Sequence, residues 1–175
     1  MGWSGCGIPL GMTDTTVAFD RSQAPRVAQA YRAVLRCGPL VLALRSDPWF
    51  EGNNLGGAGA LRSTATDMLK YLQTNMHPEG QPIEHALRES HRELFQEDER
   101  MAIGMNWIRT QSERLQQPMI WHNGGTGGFR SFLGFTEQGG LGVLILSNSS
   151  EGVDDLAIEL LRDLAKPPPS PPHHI

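Results

Sequence analysis

The sequence predicts an α+β fold: a helical, loop-rich first part, then antiparallel strands closed by an amphipathic helix. Three observations carry that expectation. Small residues lead into a capped run with helical apolar spacing over residues 63–76. After Arg100 the spacing turns strand-like. Between residues 153 and 164 one apolar helical face returns.

Residues 1–54 are rich in turn formers. Ile8-Pro9-Leu10-Gly11-Met12 and Thr13-Asp14-Thr15-Thr16 suit an irregular loop tied by side-chain-to-backbone hydrogen bonds. A short helix is expected over residues 25–35, with Pro25 at an early position. Gly56-Gly57-Ala58-Gly59-Ala60-Leu61 permits close backbone approach. Ser63 or Thr64 then caps a helix whose first turn places Asp67 at the positive end of the dipole. Met68, Leu69, Leu72 and Met76 recur at helical spacing until His77-Pro78-Glu79-Gly80 ends the run. A second, more polar helix is expected over residues 83–95, with Ile83, Leu87 and Leu94 inward.

Strands are expected at residues 103–110, 119–122, 129–135 and 141–147, the last two joined by Gln138-Gly139-Gly140 as a hairpin. Val153, Leu156, Ala157, Leu160, Leu161 and Leu164 form the apolar face of the final helix, which Pro167-Pro168-Pro169 stops. The expected organisation is a loop and helical segment over residues 1–100, then strands and closing helix of the same domain over 101–166. A flexible Pro-rich tail follows at 167–175, and its two histidines read as incidental or as an expression remnant.

With 175 residues, 39% apolar and 19% charged, the chain can bury one ordinary core and is not of disordered composition. A net charge of −4, with no Lys/Arg cluster interleaved with aromatics, argues against nucleic acid as a partner. The longest apolar run, residues 141–146, is too short to span a bilayer. The two cysteines, Cys6 and Cys37, read as free thiols and leave the redox compartment open. Met1-Gly2-Trp3-Ser4-Gly5 lacks the basic start and apolar stretch of a signal peptide, so the chain as it stands reads as cytoplasmic. No cofactor or metal is expected: His85 and His91 lack a ligand spacing, and there is no His-Glu-x-x-His. Glu97-Asp98-Glu99 reads as a solvated loop.

Trp121-His122-Asn123-Gly124-Gly125-Thr126-Gly127-Gly128-Phe129 is the most informative stretch. A phosphate loop would need a helix directly after the glycines, and a strand follows instead. Taken alone, the run reads as a glycine-rich turn or bulge at a sheet edge. A polar residue entering such a strand also builds one wall of an acyl-transfer site, because glycines let a substrate lie against backbone N–H groups.

This stretch resembles the third motif of class C β-lactamases, DD-peptidases and lactamase-like carboxylesterases. Relatives read Lys-Thr-Gly or His-x-Gly there, followed by Gly-Thr-Gly-Gly-Phe or a close variant. Supporting segments occur in the family's order. Pro9-Leu10-Gly11-Met12-Thr13-Asp14-Thr15 resembles the loop after the second motif. Gly57-Ala58-Gly59-Ala60-Leu61-Arg62-Ser63-Thr64-Ala65-Thr66-Asp67-Met68 resembles a loop and helix start of that fold. Gly104-Met105-Asn106-Trp107 resembles the Gly-x-x-Trp strand. The resemblance extends from Ile8 to about Ala165. It implies the C-terminal part of the β-lactamase/transpeptidase-like fold. It also implies that His122, Asn123, Gly124, Gly125 and Thr126 bind substrate, with the Gly125 N–H as an oxyanion-hole donor.

The family nucleophile lies in Ser-x-x-Lys, where the lysine activates the serine. No serine of this chain has a lysine three residues on, and Tyr-x-Asn or Tyr-x-Ser is absent at Tyr31 and Tyr71. Gly-x-Ser-x-Gly is absent too. Ser131, just beyond the glycines, reads as an ordinary strand serine. In the family both missing motifs precede the Pro-Leu-Gly-Met loop, so the chain is expected to be the substrate-binding half of a serine hydrolase acting on ester, peptide or β-lactam bonds. Its expected partners are such a small molecule, and either the N-terminal half or a further copy of itself. A non-catalytic pseudoenzyme or binding module, and a small esterase with an unorthodox nucleophile, remain as alternatives. A parent of this kind can be secreted or periplasmic, so the compartment stays open.

Overall fold

The computed structural model describes residues 9–17, 23–47, 59–81, 83–113 and 115–166. Strands β1 (Ala30–Cys37) and β2 (Leu40–Ser46) form a separate hairpin. Helices α1 (Ala65–Met76) and α2 (Glu84–His91) follow. A six-stranded antiparallel meander then runs in chain order through β3 (Phe95–Gln96), β4 (Met101–Ile103), β5 (Ile108–Thr110), β6 (Met119–Thr126), β7 (Phe129–Thr136) and β8 (Gly142–Ser147). Helix α3 (Asp154–Leu164) closes the chain. The mixed α+β architecture agrees with the expectation from sequence.

Both faces of the meander are covered, and the alternation along β7 assigns its side chains to them. Leu133 and Phe135 join Leu72, Trp107 and Ile120 on the α1 face. Phe132 joins Val153 and Ala157 under α3, and Met119 packs with Leu115 and Leu161 beside them. Trp121 stacks on Phe132 at a centroid distance of 5.3 Å, from the same side of the sheet.

Helix α1 begins where the cap chemistry places it. Thr64 is extended, and its side chain accepts the Asp67 N–H at 3.2 Å. Asp67 is 1% exposed. Its carboxylate accepts the Asp14 N–H and the Thr15 hydroxyl at 2.8 Å each, and Lys70 Nζ at 3.0 Å. These bonds tie the loop at residues 10–16 to the helix, as the threonine-rich sequence suggested. Burial alone would raise the Asp67 pKa; the bonds from Lys70, Thr15 and Asp14 outweigh it and hold the carboxyl below its ordinary value.

Several expectations are corrected. The helix expected over residues 25–35 is a 3-10 turn at Ala24–Arg26 followed by β1. Pro25 does open that turn, but the apolar run continues past Gly38-Pro39 as Leu40-Val41-Leu42-Ala43-Leu44, and pairing with this partner overrides local helix propensity. The second helix stops at His91, because Arg92 turns extended and Leu94 bonds the Ile103 carbonyl instead; Leu94 is 53% exposed. The strand expected over residues 103–110 is two strands, β4 and β5, folded back at Asn106, which takes φ +65°. Strand β6 continues beyond His122 to Thr126. On α3, Ala157 and Leu161 are buried while Leu156, Leu160 and Leu164 are exposed, so the helix seats on the narrow half of its apolar face. The proline run and tail at residues 167–175, and Cys6, lie outside the described residues; Cys37 is a free thiol, exposed on β1.

His91 is bonded through Nε2 to Asn75 Oδ1 at 2.8 Å, and its ring meets Trp107 and Phe135, each at a 5.3 Å centroid distance. Burial, with Arg88 adding repulsion, pushes its pKa down from 6.5 to about 4.

Two predictions follow from these contacts. Asp67→Ala is expected to lower unfolding free energy by about 3 kcal/mol, against about 1 kcal/mol for Thr64→Ala, because it strands several donors rather than one; urea unfolding of the two variants checks the order. For His91 the unfolded chain takes up a proton first as pH falls. Stability is therefore complete above pH 6.5 and declines toward pH 4, with no further loss from this group below that. Thermal melts across this window should show the decline in the native chain and a flatter profile in His91→Gln.

Candidate functional site

Met119, Ile120 and Trp121 anchor the first half of β6 between β5 and β7. The motif residues follow as one strand: His122, Asn123, Gly124, Gly125 and Thr126 lie opposite Leu133, Phe132, Ser131, Arg130 and Phe129. Gly127 and Gly128 make the two-residue turn, both with positive φ (+48° and +88°), which glycine adopts without strain. Strand β5 reaches only to Trp121, so past that residue the far edge of β6 has no strand partner among the described residues.

At the two central glycines a side chain would displace its cross-strand neighbour from the position seen here. A Cβ on Gly124 would stand 2.7 Å from Ser131 Oγ, and one on Gly125 would collide with the Arg130 guanidinium. Backbone is therefore the only thing β6 presents at these positions. Ladder alternation gives its direction. In a two-residue hairpin the closing pair, here Thr126 and Phe129, exchanges both hydrogen bonds. The Gly125 and Asn123 amides then face away from β7, in phase with Trp121, which faces β5.

Side chains of the motif part to opposite faces. His122 is half-buried and lies with Leu133 on the α1 side. Asn123 lies on the α3 side, where its Nδ2 donates to Asp154 Oδ2 at 2.6 Å, in the first turn of α3. Arg130 crosses Gly125 on that same side, and its Nε donates to the Ser150 carbonyl at 3.0 Å. One open cleft is lined by Asn123, Gly124, Gly125, Arg130, Gly152 and Asp154. A second continues past Gly125 along the turn toward Arg32, Asp47 and Ser150.

The residues singled out from sequence are thus contiguous in space, but their side chains do not converge. The polar groups that flank them, Arg130, Asp154 and Arg32, were not legible from spacing. Asp154 looks like any acid in a helix first turn, and Arg32 is brought in by a hairpin that the sequence reading took for a helix. Ser131 is half-buried against Gly124 on β7. Among the described residues no group of three His, Cys, Asp or Glu is placed to hold a metal ion, and no helix is long and apolar enough to cross a membrane.

Comparison with known proteins converges on one family. The Beta-lactamase family matches residues 8–166. The D-alanyl-D-alanine-carboxypeptidase/endopeptidase AmpH of Escherichia coli (strain K12) is 22% identical over 173 residues, covering 87% of this chain and 42% of that protein. The crystal structure of the β-lactamase/D-alanine carboxypeptidase from Pseudomonas syringae superposes with a TM-score of 0.73 at 18% identity, over 93% of this chain and 51% of that one. The octameric penicillin-binding protein homologue from Pyrococcus abyssi gives 0.70 at 20% identity, over 92% and 36%. The chain thus spans about half, or less, of the length of these relatives. Matched over nearly all its described residues and sharing the β-lactamase/transpeptidase-like fold, the chain belongs to the β-lactamase family.

Proposed function

We propose that this chain is the substrate-binding half of a serine hydrolase that opens ester, amide or β-lactam bonds through an acyl-enzyme, the nucleophile coming from outside these 175 residues. The observation that carries this reading is the edge of β6 at Gly124 and Gly125, which has no strand partner among the described residues. An outward Gly125 N–H would bond the oxyanion of a tetrahedral intermediate, and a substrate backbone would lie along the edge as an added strand. In a complete site one such donor is worth about 3–4 kcal/mol. The other donor of the pair would be the nucleophile's own N–H. The alternative, a binding module without catalysis, draws on the absence of Ser-x-x-Lys and Tyr-x-Asn from the sequence.

Two features bear on substrate preference. His122 stands where many relatives carry a lysine, so the permanent cation that would attract a carboxylate is replaced. The Asn123 amide is already engaged by the Asp154 carboxylate, which sets a negative charge beside the motif. Both favour a substrate that is uncharged at this end over a carboxylate-bearing β-lactam.

On its own the purified chain is expected to give no stoichiometric serine labelling with a fluorophosphonate. Its turnover of p-nitrophenyl butyrate should equal that of the His122→Ala and Gly125→Pro variants. Labelling of one serine, with turnover abolished by either substitution, would refute the split-site reading and favour a small self-sufficient esterase. In a complete enzyme containing this half, p-nitrophenyl ester hydrolysis should exceed penicillin hydrolysis in kcat/KM; efficient penicillin turnover with poor ester activity would reverse that assignment.

A further inference from the structure

The second cleft, beyond Gly125, is built from β1, the end of β2 and the β6–β7 turn. Tyr31 brings β1 there: its N–H donates to the Asn148 carbonyl and its carbonyl accepts the Ser150 N–H, both at 2.9 Å. Gly128 backs against it, with room for no side chain; a Cβ there would stand 3.0 Å from the Tyr31 carbonyl oxygen. The next residue, Arg32, is exposed and lines the cleft opposite Arg130. Among the described residues Arg32 has no ion-pair partner, whereas Arg36 on the same strand is paired with Glu151. Among the described residues Arg130 bonds through Nε alone, to the Ser150 carbonyl, which leaves its terminal amino groups for a ligand. Asp47 lines the cleft without pairing to either arginine, and two guanidiniums outnumber this one carboxylate. At the opposite end of the edge stands Asp154, bonded to Asn123.

Resting on the substrate-wall reading above, we propose that this cleft is an anion-reading subsite. Arg32 and Arg130 take a carboxylate carried by the part of the ligand that extends past Gly125 toward the glycine turn. The guanidinium fork matches a carboxylate in shape, and Ser150 fixes the orientation of one fork in advance. Asp154 makes the edge electrically polar, so the favoured ligand is an extended ester or peptide with its anionic group at the turn end and none at the Asn123 end.

Titration of the isotope-labelled chain with N-succinyl-Ala-Ala methyl ester and with N-acetyl-Ala-Ala methyl ester, followed by amide NMR shifts, tests this. The succinyl compound should bind roughly two- to fivefold more tightly per engaged arginine at low ionic strength. The difference should fall by one such factor in Arg32→Gln, where Arg130 remains, and shrink in the native chain at about 0.3 M salt. Arg32 is exposed on a strand, so its replacement leaves the fold intact; the salt series needs no variant at all. Equal affinities, with both compounds shifting the Gly125 and Gly127 amides, would overturn the anion subsite and leave the substrate wall standing. If neither compound moves those amides, both readings fail.

Discussion

The register between β6 and β7 is the constraint on which the rest of the molecule depends. The Gly127-Gly128 turn fixes it, and every residue of β6 then has a determined opposite number on β7. Through that pairing Ile120 and Leu133 meet α1 while Trp121 and Phe132 meet α3, so the two cores are specified by one turn. The same register lays Arg130 over Gly125 and turns the Gly125 amide outward. A slip of one residue would send the Phe132 ring toward α1 and press a side chain against the glycine edge. Core packing and the open backbone of the site are thus two outcomes of a single alignment.

Elements whose reason for existing is local were legible in the sequence. The cap at Thr64, the first-turn Asp67, the stop after Met76, the β7–β8 hairpin and the final helix all carry their own signals. What the sequence hid was pairing at a distance. Residues 30–37 have enough apolar and helix-tolerant character to suit a helix, and become a strand only because residues 40–46 answer them. Leu94 looked like an inward helical position, yet its backbone joins the strand ladder at Ile103. The motif itself was legible as a glycine-rich strand and turn. Its charged surroundings were not, because Arg32, Asp154 and Ser150 reach β6 across chain separations that no local pattern encodes.

Buried Asp67 and partly buried His91 shape how the α1 side responds to acid, and both act in the same direction. Asp67 must stay ionised to hold the residues 10–16 loop, and His91 must stay neutral to remain among Trp107, Phe135 and Asn75. Lowering pH opposes each. The α3 side rests instead on apolar packing of Ala157, Leu161 and Val153, which involves no titrating group. Acid therefore acts unevenly on the two layers that the sheet separates.

The meander also sets an order of assembly. From β3 to β8 each strand pairs only with its neighbour in sequence, so every ladder closes over a short loop and the sheet can form by successive local steps. The β1–β2 hairpin forms locally too, but its attachment to the sheet does not: Ala33 bonds the Ser150 hydroxyl across 117 residues. That closure carries the largest chain-entropy cost of those described and has little to reward it until β8 is in place. The cleft between Arg32 and Arg130 is consequently complete only once the hairpin is tied to the end of β8, a closure distinct from the pairing of the sheet itself.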